Sequence, residues 1–253
     1  MQYVRFCRGE KPVWGTVEGN QVQELDAAPY LGGQAVGRIH ELDKLQLLAP
    51  VDPSKLICIG RNYAEHASEL GNQAPSEPMF FLKAPSALIG PGEPIKVPHP
   101  THATHWEAEL AVVIGRRARQ VQPDEALSYI FGYTIANDVS DRDIQKADAP
   151  FGFGRAKSYD TFCPCGPVLV TEGVNPLDVM ITLTCNAEIR QSDSTALMLH
   201  NVPKLISFLS AIMTLLPGDV ILTGTPKGVG AMKPGDLLEI TIPGIGTLTN
   251  PVN

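Results

Sequence analysis

The sequence has no apolar run approaching the length of a membrane span. It also lacks an apolar core and cleavage site behind its first residues, MQYVRFCRGEKPVWG. The chain therefore reads as mature, not secreted, and cytoplasmic. There is no excess of positive charge. A formal net charge of −7 argues against nucleic acid or an anionic membrane surface as the main partner. An acidic substrate stays open, because a bound cation can invert the local field. A disulfide framework is missing too. The five cysteines, Cys7, Cys58, Cys163, Cys165 and Cys185, are odd in number and scattered. The pair Cys163 and Cys165 is neither a redox CxxC nor half of a zinc ribbon, so reduced thiols are expected. No internal repeat or low-complexity tract stands out.

What is present is enough apolar material for a sizeable core, 43% hydrophobic against 19% charged residues over 253 positions. Twenty-three glycines and 22 prolines punctuate the chain regularly. Between them lie short β-rich runs at 3–7, 13–17, 56–59, 79–82, 108–114, 131–136, 168–170, 180–185, 220–223 and 237–242. Many short strands separated by Gly/Pro turns predict a β-rich α+β fold with a sandwich or barrel-like core. Helices are expected over 124–129, 141–146 and 202–214, the last opening with Pro203. The stretch from Leu47 to Pro53 reads as a boundary between a small N-terminal domain, 1–50, and a main domain, 51–253. Residues 31–37 (LGGQAVG) read as a linker. Ala64–Pro78 lacks a strong apolar stripe and reads as a surface segment or mobile lid.

The chemically informative stretch is His105-Trp106-Glu107-Ala108-Glu109-Leu110-Ala111-Val112-Val113-Ile114. Residues 110–114 are apolar throughout, the pattern of a strand covered on both faces. Glu107 and Glu109 stand two apart at its head and point to one side of a strand. Asp138 ends a second apolar strand. Paired carboxylates beside a buried strand need a cation or donors to compensate them. Three hard oxygens suit Mg²⁺ or Mn²⁺ rather than Zn²⁺. Spacing alone leaves solvated acids at an exposed strand end as the other reading.

Several stretches taken together resemble the fumarylacetoacetate hydrolase family. They are Ile59-Gly60-Arg61-Asn62-Tyr63-Ala64-Glu65-His66, residues 81–92 (FLKAPSALIGPG), the Glu-x-Glu strand, residues 137–145 (NDVSDRDIQ), Ala156-Lys157-Ser158 and residues 222–230 (LTGTPKGVG). The resemblance implies a mixed β-sandwich roll, a homodimer, and Glu107, Glu109 and Asp138 as ligands of Mg²⁺ or Mn²⁺. It implies a lid helix that brings His66 and Glu69 over the site as a water-activating pair. A carboxylate three residues away fixes an imidazole's tautomer, and without the resemblance His66 reads as a solvated side chain. Arg142, Gln145 and Lys157 are expected to line the substrate pocket. Lys157 would stabilise enolate charge, and Thr225 would donate to a substrate carboxylate.

The implied substrate is a small 2-oxo acid. The expected reaction is cleavage of a C–C bond, by hydrolysis of an acylpyruvate or decarboxylation of an oxaloacetate-like acid. Isomerisation of unsaturated 2-oxo diacids is the alternative within the same enolate chemistry. A non-catalytic metal-binding protein is the alternative of another class, set against the retention of all these polar groups. The short segment before Pro50 fits small bacterial-type members, and Trp106 is expected to narrow the pocket. Two further patterns are weighed and set aside. His99, His102 and His105 recur every three residues but lack the helical or cysteine context of a zinc site. Residues 151–154 (FGFG) lack the third glycine of a nucleotide loop.

Overall fold

Residues 1–50 hold five strands in a computed structural model that describes all 253 residues: β1 (Gln2–Arg8), β2 (Lys11–Glu18), β3 (Gln21–Leu25), β4 (Ala35–Glu41) and β5 (Leu47–Leu48). Thirteen more follow: β6 (Leu56–Gly60), β7 (Met79–Lys83), β8 (Leu88–Ile89), β9 (Thr104–His105), β10 (Ala108–Ile114), β11 (Ile130–Asn137), β12 (Ser140–Asp141), β13 (Cys163–Val170), β14 (Met180–Cys185), β15 (Glu188–Ser194), β16 (Val220–Leu222), β17 (Leu237–Ile242) and β18 (Gly246–Pro251). The α-helices are α1 (Ala64–Glu69), α2 (Arg142–Asp148), α3 (Gly154–Lys157) and α4 (Val202–Ile212). No helix is long and apolar enough to cross a membrane.

One 12-stranded mixed sheet runs in the order β4-β3-β2-β1-β13-β11-β10-β16-β6-β7. Beside that path β5 pairs β1 and β8 pairs β13. A second sheet, β15-β14-β17-β18, has its own hydrogen-bond ladder. In β14 and β17 buried and less buried residues alternate, so one face turns inward. Ile181, Leu183, Leu238, Ile240 and Leu248 of this sheet join the same apolar core as the large sheet. β10 is different: all seven of its residues are buried, as the unbroken apolar pattern predicts for a strand covered on both faces. It sits centrally, antiparallel to both β11 and β16.

The β-rich class expected from the sequence is the class observed. Eight strands escape the periodicity, and four of them, β5, β8, β9 and β12, are only two residues long. β4 falls partly on the supposed linker and pairs β3 at the sheet edge with nearly every residue exposed. β3 (QVQEL), β15 (EIRQSDS) and β18 (GTLTNP) carry few apolar residues. The helix expected over 124–129 tightens into a 3₁₀ turn at Ala126–Tyr129, where the Ser128 hydroxyl donates back to the Glu125 carbonyl. α2 begins where Asp141 accepts the N–H groups of Asp143 and Ile144, a true cap. The expected lid divides: α1 buries His66 and Ala67, whereas Leu70–Glu77 is largely exposed surface. Four of the five thiols are buried and all are free.

Candidate active site

The three acids meet because β10 and β11 are antiparallel neighbours, with Ala108 opposite Asn137 and Glu109 opposite Ala136. The head of one strand therefore lies beside the tail of the other. Two bonds lock the junction: Asp138 N–H donates to the Glu107 carbonyl at 2.8 Å, and Glu107 N–H donates to Asn137 Oδ1 at 2.8 Å. Glu107, Glu109 and Asp138 are all buried, and one carboxylate oxygen of each lies within 4.8 Å of the others.

Cations answer two of the three. Lys157 Nζ, carried in by α3, donates to Glu107 Oε2 at 2.9 Å and to Asp138 Oδ2 at 2.8 Å. Arg142, the first residue of α2, donates to Glu107 Oε1 at 2.6 Å and to Gln145 Oε1 at 2.8 Å. Burial opposes the charge on Glu107, yet Lys157 and Arg142 outweigh it and hold the carboxyl well below its ordinary range. For Lys157 burial likewise opposes the charge, and Asp138 and Glu107 prevail and push its pKa up.

Glu109 has no cation of its own. Its Oε2 accepts only the Gly224 N–H, at 2.6 Å. Burial first, then Asp138 and Glu107, push its pKa far above the carboxylate range. Gly224 makes this contact from the left-handed region (φ +100°), and a Cβ there would meet Asn62 Cβ at 2.7 Å.

The donor set fits a hard divalent cation. It consists of three buried carboxylates, one of them crowded by two like charges. Asp138 Oδ1 has no hydrogen-bond partner. Lys83 Nζ approaches that oxygen to 2.5 Å, but outside hydrogen-bond geometry, because the ammonium is aimed at the Phe162 and Val139 carbonyls.

A cavity of about 310 Å³ opens over the cluster. His66, Glu107, Arg142, Gln145, Lys157 and Thr225 all line it, and Phe81, Phe153 and Met79 form its apolar wall. His66 sits 3.4 Å from Glu69 through Nδ1, and burial lowers its pKa, which favours the neutral ring. Glu69 is in turn held by the Gly228 N–H at 3.1 Å, and Glu65 of α1 pairs with Lys227. The lid helix is thus tied down to the turn after β16.

Thr225 has other partners than expected. Its hydroxyl donates to the Ala108 carbonyl at 2.9 Å and accepts from Gln191 Nε2 at 2.8 Å, so its only proton is already committed. Trp106 does not narrow the cavity. Its ring packs on Gly230 and its Nε1 donates to the Gly228 carbonyl, away from the lining.

Three residues at the site were not assigned to it by sequence reasoning. Lys83 ends an apolar run and looks like a strand-end cation until β7 is paired beside β6. Gln191 comes from the second sheet, where its Oε1 accepts the Ala108 N–H. His105 parts from the other two histidines and faces the cavity, its pKa lowered to about 4 by burial and then by Arg142.

Comparison with known proteins points to one family. The pattern of the Fumarylacetoacetate (FAA) hydrolase C-terminal family matches residues 55–253, and the Rv2993c-like N-terminal pattern matches residues 1–50. Protein Rv2993c of Mycobacterium tuberculosis is 47% identical over 232 residues, 91% of this chain and 87% of that one. Oxaloacetate tautomerase YisK of Bacillus subtilis is 42% identical over 228 residues, 85% of this chain and 75% of that one. The crystal structure of 5-carboxymethyl-2-hydroxymuconate delta-isomerase from Mycobacterium smegmatis matches with a TM-score of 0.91 at 44% identity, over 100% of this chain and 99% of that one. The chain belongs to the fumarylacetoacetate hydrolase family.

Proposed function

We propose that this chain is a divalent-metal-dependent enzyme that acts on a small 2-oxo acid through its enolate, with Mg²⁺ or Mn²⁺ held by Glu107, Glu109 and Asp138. The observation that carries the reading is the buried three-acid cluster, whose Glu107 lines a cavity together with Arg142, Lys157 and His66. A bound cation supplies Lewis acidity to the ketone and carboxylate oxygens of such a substrate. Arg142 has an Nε–H without a protein partner and offers it to an anionic oxygen at the cavity. Lys157 sets positive charge beside the same oxygens, where enolate charge develops.

Proton transfer comes first among the reactions, in keeping with the tautomerase and isomerase names among the relatives. His66 takes a proton from C3 of the 2-oxo acid. The C–H electron pair becomes the C2=C3 double bond, the C=O π pair moves onto the ketone oxygen, and that oxygen takes the proton removed by His66, which gives the enol and restores the base. Glu69 orients the ring, as a carboxylate does for any general-base imidazole. C–C bond cleavage is the second reading, favoured by the same His66–Glu69 pair, which also suits activation of water for attack on an acylpyruvate. Decarboxylation of an oxaloacetate-like acid needs no such water. Gln145 and Thr225 shape the pocket, and a homodimer completes the reading.

The deciding experiment is a panel of oxaloacetate, acylpyruvates and unsaturated 2-oxo diacids assayed with Mg²⁺, Mn²⁺ or chelator. Turnover that depends on the metal and is lost in Glu109→Gln is expected. Turnover indifferent to both chelation and that substitution would overturn the reading.

A further inference from the structure

The histidine tract before β9 is only partly absorbed by the site above. Pro98 and Pro100 restrict the backbone on either side of His99, and His102 N–H donates to the His99 carbonyl at 2.9 Å, closing a turn. That turn brings the two rings together with centroids 4.6 Å apart. Asp141 is delivered to them by backbone pairing: it stands opposite Thr104 in the β9–β12 ladder, and Arg142 N–H donates to the Ala103 carbonyl at 2.9 Å. His102 Nδ1 lies 2.8 Å from Asp141 Oδ2, while Asp141 Oδ1 is committed to capping α2. His99 Nε2 lies 3.2 Å from the Tyr159 hydroxyl. One donor atom from each of His99, His102 and Asp141 falls within 4.8 Å of the others.

A simple His–Asp hydrogen bond would need only one imidazole. Here two imidazoles converge on one carboxylate at a partly open surface, with the His102 side chain 29% exposed and Asp141 fully covered. Two nitrogens and one oxygen form a ligand set for a borderline metal, with a fourth position left for water or the Tyr159 hydroxyl. Tetrahedral bonds of about 2.0–2.1 Å space their ligands roughly 3.3 Å apart. The His102–Asp141 contact has to open by only about half an ångström to reach that spacing. The two N–H bonds on Oδ1 already orient the carboxylate from behind, as outer-shell partners do.

We infer that His99, His102 and Asp141 form a second metal site, selective for a borderline divalent cation of the Zn²⁺ type, which clamps the turn before β9 to the start of α2. It differs from the carboxylate cluster in ligand chemistry and in access. Asp141 immediately precedes Arg142, so occupancy stiffens the end of the helix that carries Arg142 and Gln145.

The test is titration of the metal-stripped full chain with Co²⁺ in excess Mg²⁺, which keeps the all-oxygen site filled. The wild-type protein should take up a single equivalent with the strong visible bands of a tetrahedral nitrogen-containing site, and Zn²⁺ should bleach them. His99→Ala with His102→Ala should lose the bands. His102→Gln, which keeps a hydrogen-bond donor for Asp141 and is the milder change for folding, should lose them as well. Glu109→Gln should retain them. Bands absent from the wild type, retained in His102→Gln, or lost in Glu109→Gln would each overturn the inference. Circular dichroism of every variant separates loss of ligand from loss of fold.

Discussion

Glu24 and Glu109 are equally hidden, 2% and 1% exposed, yet their surroundings push them in opposite directions. Glu24 lies in β3, in the first fifty residues. Arg38 donates to it at 2.7 Å and Arg8 at 2.6 Å, and His40 Nε2 lies 2.9 Å away. Chiefly through Arg38, these partners lower its pKa to about 2 despite burial. Glu109 receives one backbone N–H and two neighbouring acids, and its pKa rises. Glu24 is an anion whose partners are complete within the chain. Glu109 is a carboxyl arranged as if its cationic partner were still to come. A structural carboxylate and a ligand-ready one are thus told apart by what faces them, since burial is the same for both.

The sharpest way to break that comparison is to neutralise each acid in turn. Glu109→Gln should lower turnover by about 10²–10³-fold or more, since it removes a charge that holds the cation polarising the reacting oxygens. The same change should raise the melting temperature of the metal-free protein, because it relieves the crowding with Glu107 and Asp138. Steady-state kinetics and a melting curve on one preparation check both. Activity and stability falling together would mean that Glu109 is structural after all.

His66→Ala comes next. Loss of a positioned base should cost about 10²–10⁴-fold in kcat, with metal affinity unchanged. An intact kcat would remove His66 from the chemistry and leave α1 as a cover.

The Glu109 side of this contrast was legible in the sequence, and what was not has physical causes. The apolar run of residues 110–114 announced a doubly covered strand, and Glu107, Glu109 and Asp138 do converge at its head. β4 was hidden because an exposed edge strand carries no alternation. Lys83 and Gln191 were hidden because a neighbouring strand and a second sheet bring them to the acids, and no local spacing encodes that. The three-residue histidine spacing misled in another way. It was set aside for want of helical or cysteine context, but the turn at His99–His102 splits the three, so His105 enters the cavity while the other two face Asp141.

Glu24→Gln supplies the other half of the comparison and the smallest effect. Turnover should stay at the wild-type level, because no residue of β3 lines the cavity. Stability should fall by only about 1 kcal/mol, since the carboxylate lies under cationic side chains close to solvent, where screening trims each ion pair. The sign of its pH dependence follows from the lowered pKa. The stabilisation by Glu24 is fully present above its unfolded value of about 4.5 and is lost as pH falls toward about 2. The melting-temperature gap between wild type and Glu24→Gln should therefore be constant from neutrality down to about pH 5 and close below that. A gap that persists at pH 2 would show that the glutamine disturbs packing rather than charge, and Glu24 would no longer serve as the satisfied counterpart of Glu109.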